Sequence, residues 1–138
     1  MSTATRGATA ATLLSLAGLH VLWGRGSTFP FADRDGLNDS VVGRSSTPRP
    51  SACFAVAGAL TAAASLVADV PRLPRHLQRL GVTGVAVVLA SRAALGFSGR
   101  TDVVSPGSAS PRFRRLDRRM YSPLCLALAV GALRSRRP

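Results

Sequence analysis

The chain has 138 residues and a formal net charge of +12, with 46% hydrophobic and only 17% charged residues. That length allows one domain at most, and so few charges in so apolar a chain must cluster, leaving long uncharged stretches. All 18 basic residues are Arg, and Lys, Glu and Ile are missing, a coding bias without functional content.

Four uncharged stretches follow in chain order. His20 alone interrupts Ala8–Gly24, and no charge interrupts Ser51–Ala68, Leu80–Ser91 or Met120–Leu133. A helix rising 1.5 Å per residue needs roughly 20 apolar residues to cross a bilayer core, and about 17 at the least. The first two stretches reach that range. The third does so only by carrying Arg92 inside, and the fourth only with snorkelling flanks or local thinning. A soluble four-helix protein would show a polar stripe at the 3.6-residue period. None is visible: in SACFAVAGALTAAASLVA the polar residues are Ser51, Thr61 and Ser65, whose hydroxyls can bond the preceding turn.

The expectation is an all-α fold with four transmembrane helices in a small bundle, spanning about 8–24, 51–69, 80–98 and 120–134 as one integral membrane domain. Arg6 precedes the first apolar run as in a signal peptide, but no A-x-A-like cleavage site follows it. Small residues recur at Ala57, Gly58, Ala59, Ala62, Ala63 and Ala64, and at Gly81, Gly84, Ala86 and Ala90, which suits close helix packing in lipid.

Four crossings place the N-terminal tail, the turn from Asp69 to Arg79 and the C-terminal tail on one side of the bilayer. That side carries Arg6, Arg72, Arg75, Arg79, Arg134, Arg136 and Arg137 in short segments, with Asp69 its only acid. The two longer loops carry ten Arg and five Asp. Orientation follows basic residues in short segments near the membrane, so both termini are expected in the cytoplasm and the chain in the cytoplasmic membrane.

The last loop ends in SPRFRRLDRRMY, from Ser110 to Tyr121. Ser110 suits a helix cap and Pro111 a first turn. Phe113, Leu116 and Met120 then share one face amid Arg112, Arg114, Arg115, Arg118 and Arg119, the pattern of an interfacial amphipathic helix before the fourth span. Clustered Arg also suits phosphates, but with 5% aromatic residues and no reader fold, nucleic acid is not an expected partner.

Catalytic motifs are missing. Two His and two Cys give no zinc spacing, and neither a phosphate-binding Gly loop nor a nucleophile elbow occurs, so no metal, cofactor or catalytic residue is expected. Cys53 and Cys125 start from the same face, and two buried thiols are the commoner outcome over a bridge. Threading brings a candidate polar cluster toward the long-loop side: His20, Trp23, Arg92, Asp117 and Tyr121. Arg92 lies about 10 Å below its helix end, and Arg within a span is normally paired or snorkelled. An Arg92–Asp117 ion pair follows, with His20 and Tyr121 as nearby hydrogen-bonding groups. Trp23 and Tyr121 also suit an aromatic belt at the membrane surface.

GLHVLWGRGSTFPF, VVGRSSTPRPSACFAVAGAL, SRAALGF and FRRLDRRMYSPLCLALA, in that order, make the chain similar to a bacterial domain-of-unknown-function family, number thirty-nine ninety-five, of small four-helix integral membrane proteins. The resemblance runs from about Leu13 to Leu133, and its most specific piece is the stretch from Asp117 to Cys125. It implies signature positions at Trp23, Pro30, Gly43, Pro50, Arg92, Asp117, Tyr121, Ser122, Pro123 and Cys125, and no role for any of them. Two functional classes are compatible with the sequence. One is a structural or interaction protein of the membrane, partnered by lipid and by itself or another membrane protein. The alternative is a small-solute or proton-handling protein, or a membrane enzyme, centred on the polar cluster.

Overall fold

A computed structural model describes residues 3–70 and 72–136. Arg137, one of the charges of the terminal side, and Pro71 in the turn lie outside them. Among the described residues the structure is all-helical, with no strands. Helix α1 (Thr3–Gly24), α3 (Pro50–Ala68), α4 (Arg75–Phe97) and α7 (Ser122–Arg134) form the body. Short helices α2 (Arg34–Leu37), α5 (Thr101–Val104) and α6 (Pro111–Leu116) occupy the long loops, and π-helical turns at Asn38–Val42 and Asp117–Tyr121 extend α2 and α6.

Three helices, α1, α3 and α4, are long and apolar enough to cross a membrane; only 22% of each apolar stretch is buried within the protein. Their outward faces carry Leu14, Leu22, Phe54, Val56, Leu80, Val87, Val88 and Phe97, with only scattered hydroxyls such as Ser15, Thr61 and Ser91 between them and the charges of α4 confined to its first turns and Arg92. That inverts the amphipathicity of a water-soluble bundle. The expected fourth span falls short as a separate helix: the 13 residues of α7 cover about 20 Å at 1.5 Å per residue. It is instead the end of a helical stretch running without a break from Pro111 to Arg134, whose first part is too rich in Arg to count as apolar.

One core joins all four long elements: Ala10 and Leu13 of α1, Ala64 and Val67 of α3, Val82 and Ala86 of α4, and Leu128, Ala129 and Ala132 of α7. Helix α1 packs chiefly on α3, and α4 chiefly on α7. Small side chains bring the backbones together, the packing available where lipid replaces water. Of the small residues expected to pack closely, Ala57, Ala64 and Ala86 are buried, while Gly58, Ala59, Ala62, Gly84 and Ala90 face outward. Gly131 faces Thr9 so closely that a Cβ would collide with the Thr9 hydroxyl. The start of α1 and the end of α7 lie together, Arg6 Nη2 donating to the Ser135 carbonyl at 3.1 Å. The turn between α3 and α4 joins the same end, for Gln78 Nε2 donates to the Leu66 and Ser135 carbonyls at 3.5 and 3.4 Å.

At the opposite end the loops fold into a cap. Asp33 opens α2 by accepting from Gly36 N–H at 2.7 Å, and Ser110 opens α6 by accepting from Phe113 N–H. Gly43 ends the first π turn at φ 76°, its carbonyl receiving the N–H groups of Ala109 and Ser110. A Cβ at Gly43 would stand 2.6 Å from Phe113 Cδ1. These ties join the first long loop to the second.

Candidate functional site

Helix α4 brings Arg92 to its inner side near the cap, and the stretch from Pro111 brings Asp117. Arg92 Nη2 donates to Asp117 Oδ1 at 2.6 Å and Nη1 to Oδ2 at 3.3 Å, a two-point guanidinium–carboxylate pair. Asp117 is fully buried, whereas the Arg92 side chain remains 23% exposed. Ser122 Oγ donates to the same carboxylate at 3.4 Å. One helical turn beyond Arg92 stands Gly96, where a Cβ would fall onto Ser122 Oγ and within 2.6 Å of Asp117 Oδ2.

The π turn sets this geometry. Inward positions run Phe113, Asp117, Ser122, steps of four and then five residues, and the Ser122 N–H bonds to the Asp117 carbonyl. Pro123 has no N–H for the Arg119 carbonyl four residues earlier, which removes a rung of the regular ladder at the place where it widens. The five-residue step also corrects the expected amphipathic face: Phe113 is buried, but Met120 is 58% exposed.

The remaining members of the expected cluster bond elsewhere. Tyr121 Oη donates to the Ser40 carbonyl at 2.9 Å, tying the stretch to the first long loop, and its ring lies 6.2 Å from that of Phe113. His20 Nδ1 meets the Leu16 carbonyl at 2.8 Å, and the His20 and Trp23 rings are in edge contact with centroids 4.9 Å apart. Trp23 Nε1 donates to the Phe29 carbonyl at 2.7 Å, folding the loop with the cis Phe29–Pro30 bond back onto the end of α1. Ser122, rather than His20 or Tyr121, is thus the neighbour that hydrogen-bonds the ion pair.

His20 and Trp23 line a separate cleft of 260 Å³ with Val42, Thr47, Cys53 and Val56 among its walls. Arg92, Asp117 and Tyr121 are not among its lining residues. The sequence signals missed this cleft, because the π turn at Asn38–Val42 that roofs it follows a loop without apolar periodicity; the Asp33-x-x-Gly36 cap and Gly43 were the legible hints.

Of the other positions singled out by the sequence, Pro50 begins α3 behind an extended Arg49, the usual place for a proline with no N–H to give. Cys53 is buried, Cys125 is half-buried, and both are free thiols. Among the described residues no three His, Cys or Asp side chains gather as metal ligands would. The Arg92–Asp117 centre therefore offers a clamp between helices: its carboxylate is buried and engaged by a guanidinium and a hydroxyl.

A family model described as "Protein of unknown function (DUF3995)" matches residues 13–132, and the chain belongs to that family. No curated protein and no solved structure matches it significantly.

Proposed function

We propose that this DUF3995 member is an integral protein of the cytoplasmic membrane that crosses the bilayer four times and works through protein–protein contact within it. The observation that carries the membrane reading is the outward apolar surface of α1, α3 and α4, whose long side chains a lipid phase would solvate at no cost. Support for a fourth crossing comes from the Arg6–Ser135 contact, since three crossings alone would leave the two ends on opposite sides. The Arg-rich half of the Pro111–Arg134 stretch then lies at the surface and α7 runs through the bilayer. Dense Arg in the short terminal segments favours both termini in the cytoplasm.

The interaction role draws on α3, where Ala55, Gly58, Ala59 and Ala62 present an exposed small face. A Cβ at Gly58 would meet nothing within 4 Å, so a helix from a second molecule can approach there closely. The experiment has two parts. Extraction from membranes by detergent, with high salt and alkaline carbonate both failing, is the result expected; release by salt overturns the membrane reading. In mild detergent the protein migrates as an oligomer or with a partner, and Gly58→Leu dissociates it without unfolding it. A strict monomer with no partner overturns the interaction reading.

A further inference from the structure

The cleft beside His20 and Trp23 has no part in the clamp between α4 and α7, and its chemistry is selective. Its walls come from the end of α1, the start of α3, the end of α2 with the first π turn, the segment around Thr47, and Ser105. Although the chain carries 18 Arg, among the described residues neither Arg nor Asp lines this cleft. A charged molecule entering it would lose hydration with no counter-charge in return, so the cleft selects a neutral occupant.

Three polar side chains among the lining residues, His20, Thr47 and Ser105, have unused hydrogen-bonding capacity. The partner of His20 Nδ1 is a carbonyl oxygen, which only accepts, so the proton sits on Nδ1. In the neutral ring Nε2 then carries a lone pair, and no described residue donates to it. Thr47 Oγ1 already accepts from Asn38 Nδ2 at 3.1 Å, and its own proton has no acceptor among the described residues. The Ser105 hydroxyl has no hydrogen-bond partner among the described residues either, so between apolar walls the cleft offers the imidazole acceptor and two hydroxyls. A ligand hydroxyl can give its proton to the imidazole and accept from a side-chain hydroxyl, whereas a carbonyl or an ether, lacking a proton, cannot satisfy the imidazole.

We propose that this cleft binds a neutral, largely apolar molecule carrying a hydroxyl group, drawn from the membrane, with His20 Nε2 accepting the hydroxyl proton. The volume of 260 Å³ suits a single ring or a short chain segment rather than a whole lipid.

Trp23 is the only tryptophan in the chain and lines the cleft, so its fluorescence reports occupancy directly. The full chain in nanodiscs is titrated with 4-bromobenzyl alcohol and, separately, with 4-bromotoluene, whose bromine quenches indole emission. Both are compared at equal concentration in the membrane phase. The alcohol quenches saturably and binds about two- to tenfold more tightly than the toluene, the worth of one net hydrogen bond. His20→Phe, which keeps an aromatic ring and removes the acceptor, cuts the advantage of the alcohol to what the side-chain hydroxyls of the cleft still give it. Ala52→Leu fills the cleft from an exposed position on α3 and abolishes saturation by both, with helical content unchanged by circular dichroism. Quenching that rises linearly for both probes overturns the proposal, as does equal affinity in the unaltered protein. So does a preference for the alcohol that survives His20→Phe undiminished, and the Ala52→Leu result decides the matter should His20→Phe fail to fold.

Discussion

Gly96 stands against the carboxylate of Asp117 so closely that a single methyl group would lie 2.6 Å from Oδ2. The glycine is what allows α4 to present Arg92 and accept Asp117 and Ser122 within one turn. Gly96→Ala is therefore expected to push α7 away from α4 and cost about 1–3 kcal/mol, the usual toll of overpacking a close contact. A lower thermal midpoint in detergent, with helicity retained at low temperature, checks it.

Removing one charge of the clamp is worse than removing both. Arg92→Met leaves a buried carboxylate with only the Ser122 hydroxyl, at an expected cost of about 3 kcal/mol or more. The double variant Arg92→Met with Asp117→Leu recovers most of that loss. Membrane abundance and thermal midpoints of the three proteins test the ordering; equal loss in single and double variants rejects it.

Gly43→Ala forces a Cβ into a left-handed backbone and against the Phe113 ring at once. A loss of about 1–3 kcal/mol is expected from strain at such a position. Gly18→Ala is the control, because that glycine is exposed on α1 with open space around it, and the change holds or slightly raises stability. The difference between their midpoints is the measurement.

Tyr121→Phe keeps the ring beside Phe113 and deletes the hydrogen bond to the Ser40 carbonyl. About 1 kcal/mol is expected to go, and it goes locally, because the bond ties the cap to the body. Limited proteolysis in the 25–49 loop reads it: the variant is cut faster while α3 and α4 stay protected.

Hydropathy made the long helices legible, since an uncharged apolar run of such length must satisfy its own backbone hydrogen bonds wherever water is excluded, and a helix does so within one segment. The Arg92–Asp117 pairing followed from depth alone: an Arg inside an apolar helix needs an anion within reach, and Asp117 opens the next helical element. What the sequence could not reveal was phase. A regular 3.6-residue period places Phe113, Leu116 and Met120 together, and only the five-residue step at Asp117–Tyr121 turns Met120 outward and Ser122 inward. Nor did polar character alone show which of His20, Trp23, Arg92, Asp117 and Tyr121 would meet. Their partners proved to be backbone carbonyls for His20, Trp23 and Tyr121, and every residue offers one of those, so they leave no mark in the sequence.

The π turn between α6 and α7 acts as a phase shifter within one continuous helical rod. Upstream, the rod's inner face is keyed to the loops through Phe113 against Gly43; downstream, it is keyed to α1 and α4 through Leu128, Gly131 and Ala132. A rod of constant pitch has one phase and could match only one of these surfaces. The slipped turn lets the two halves be indexed independently, so that the cap and the bundle each meet a correctly rotated face of the same helix, with Asp117 at the hinge of that rotation.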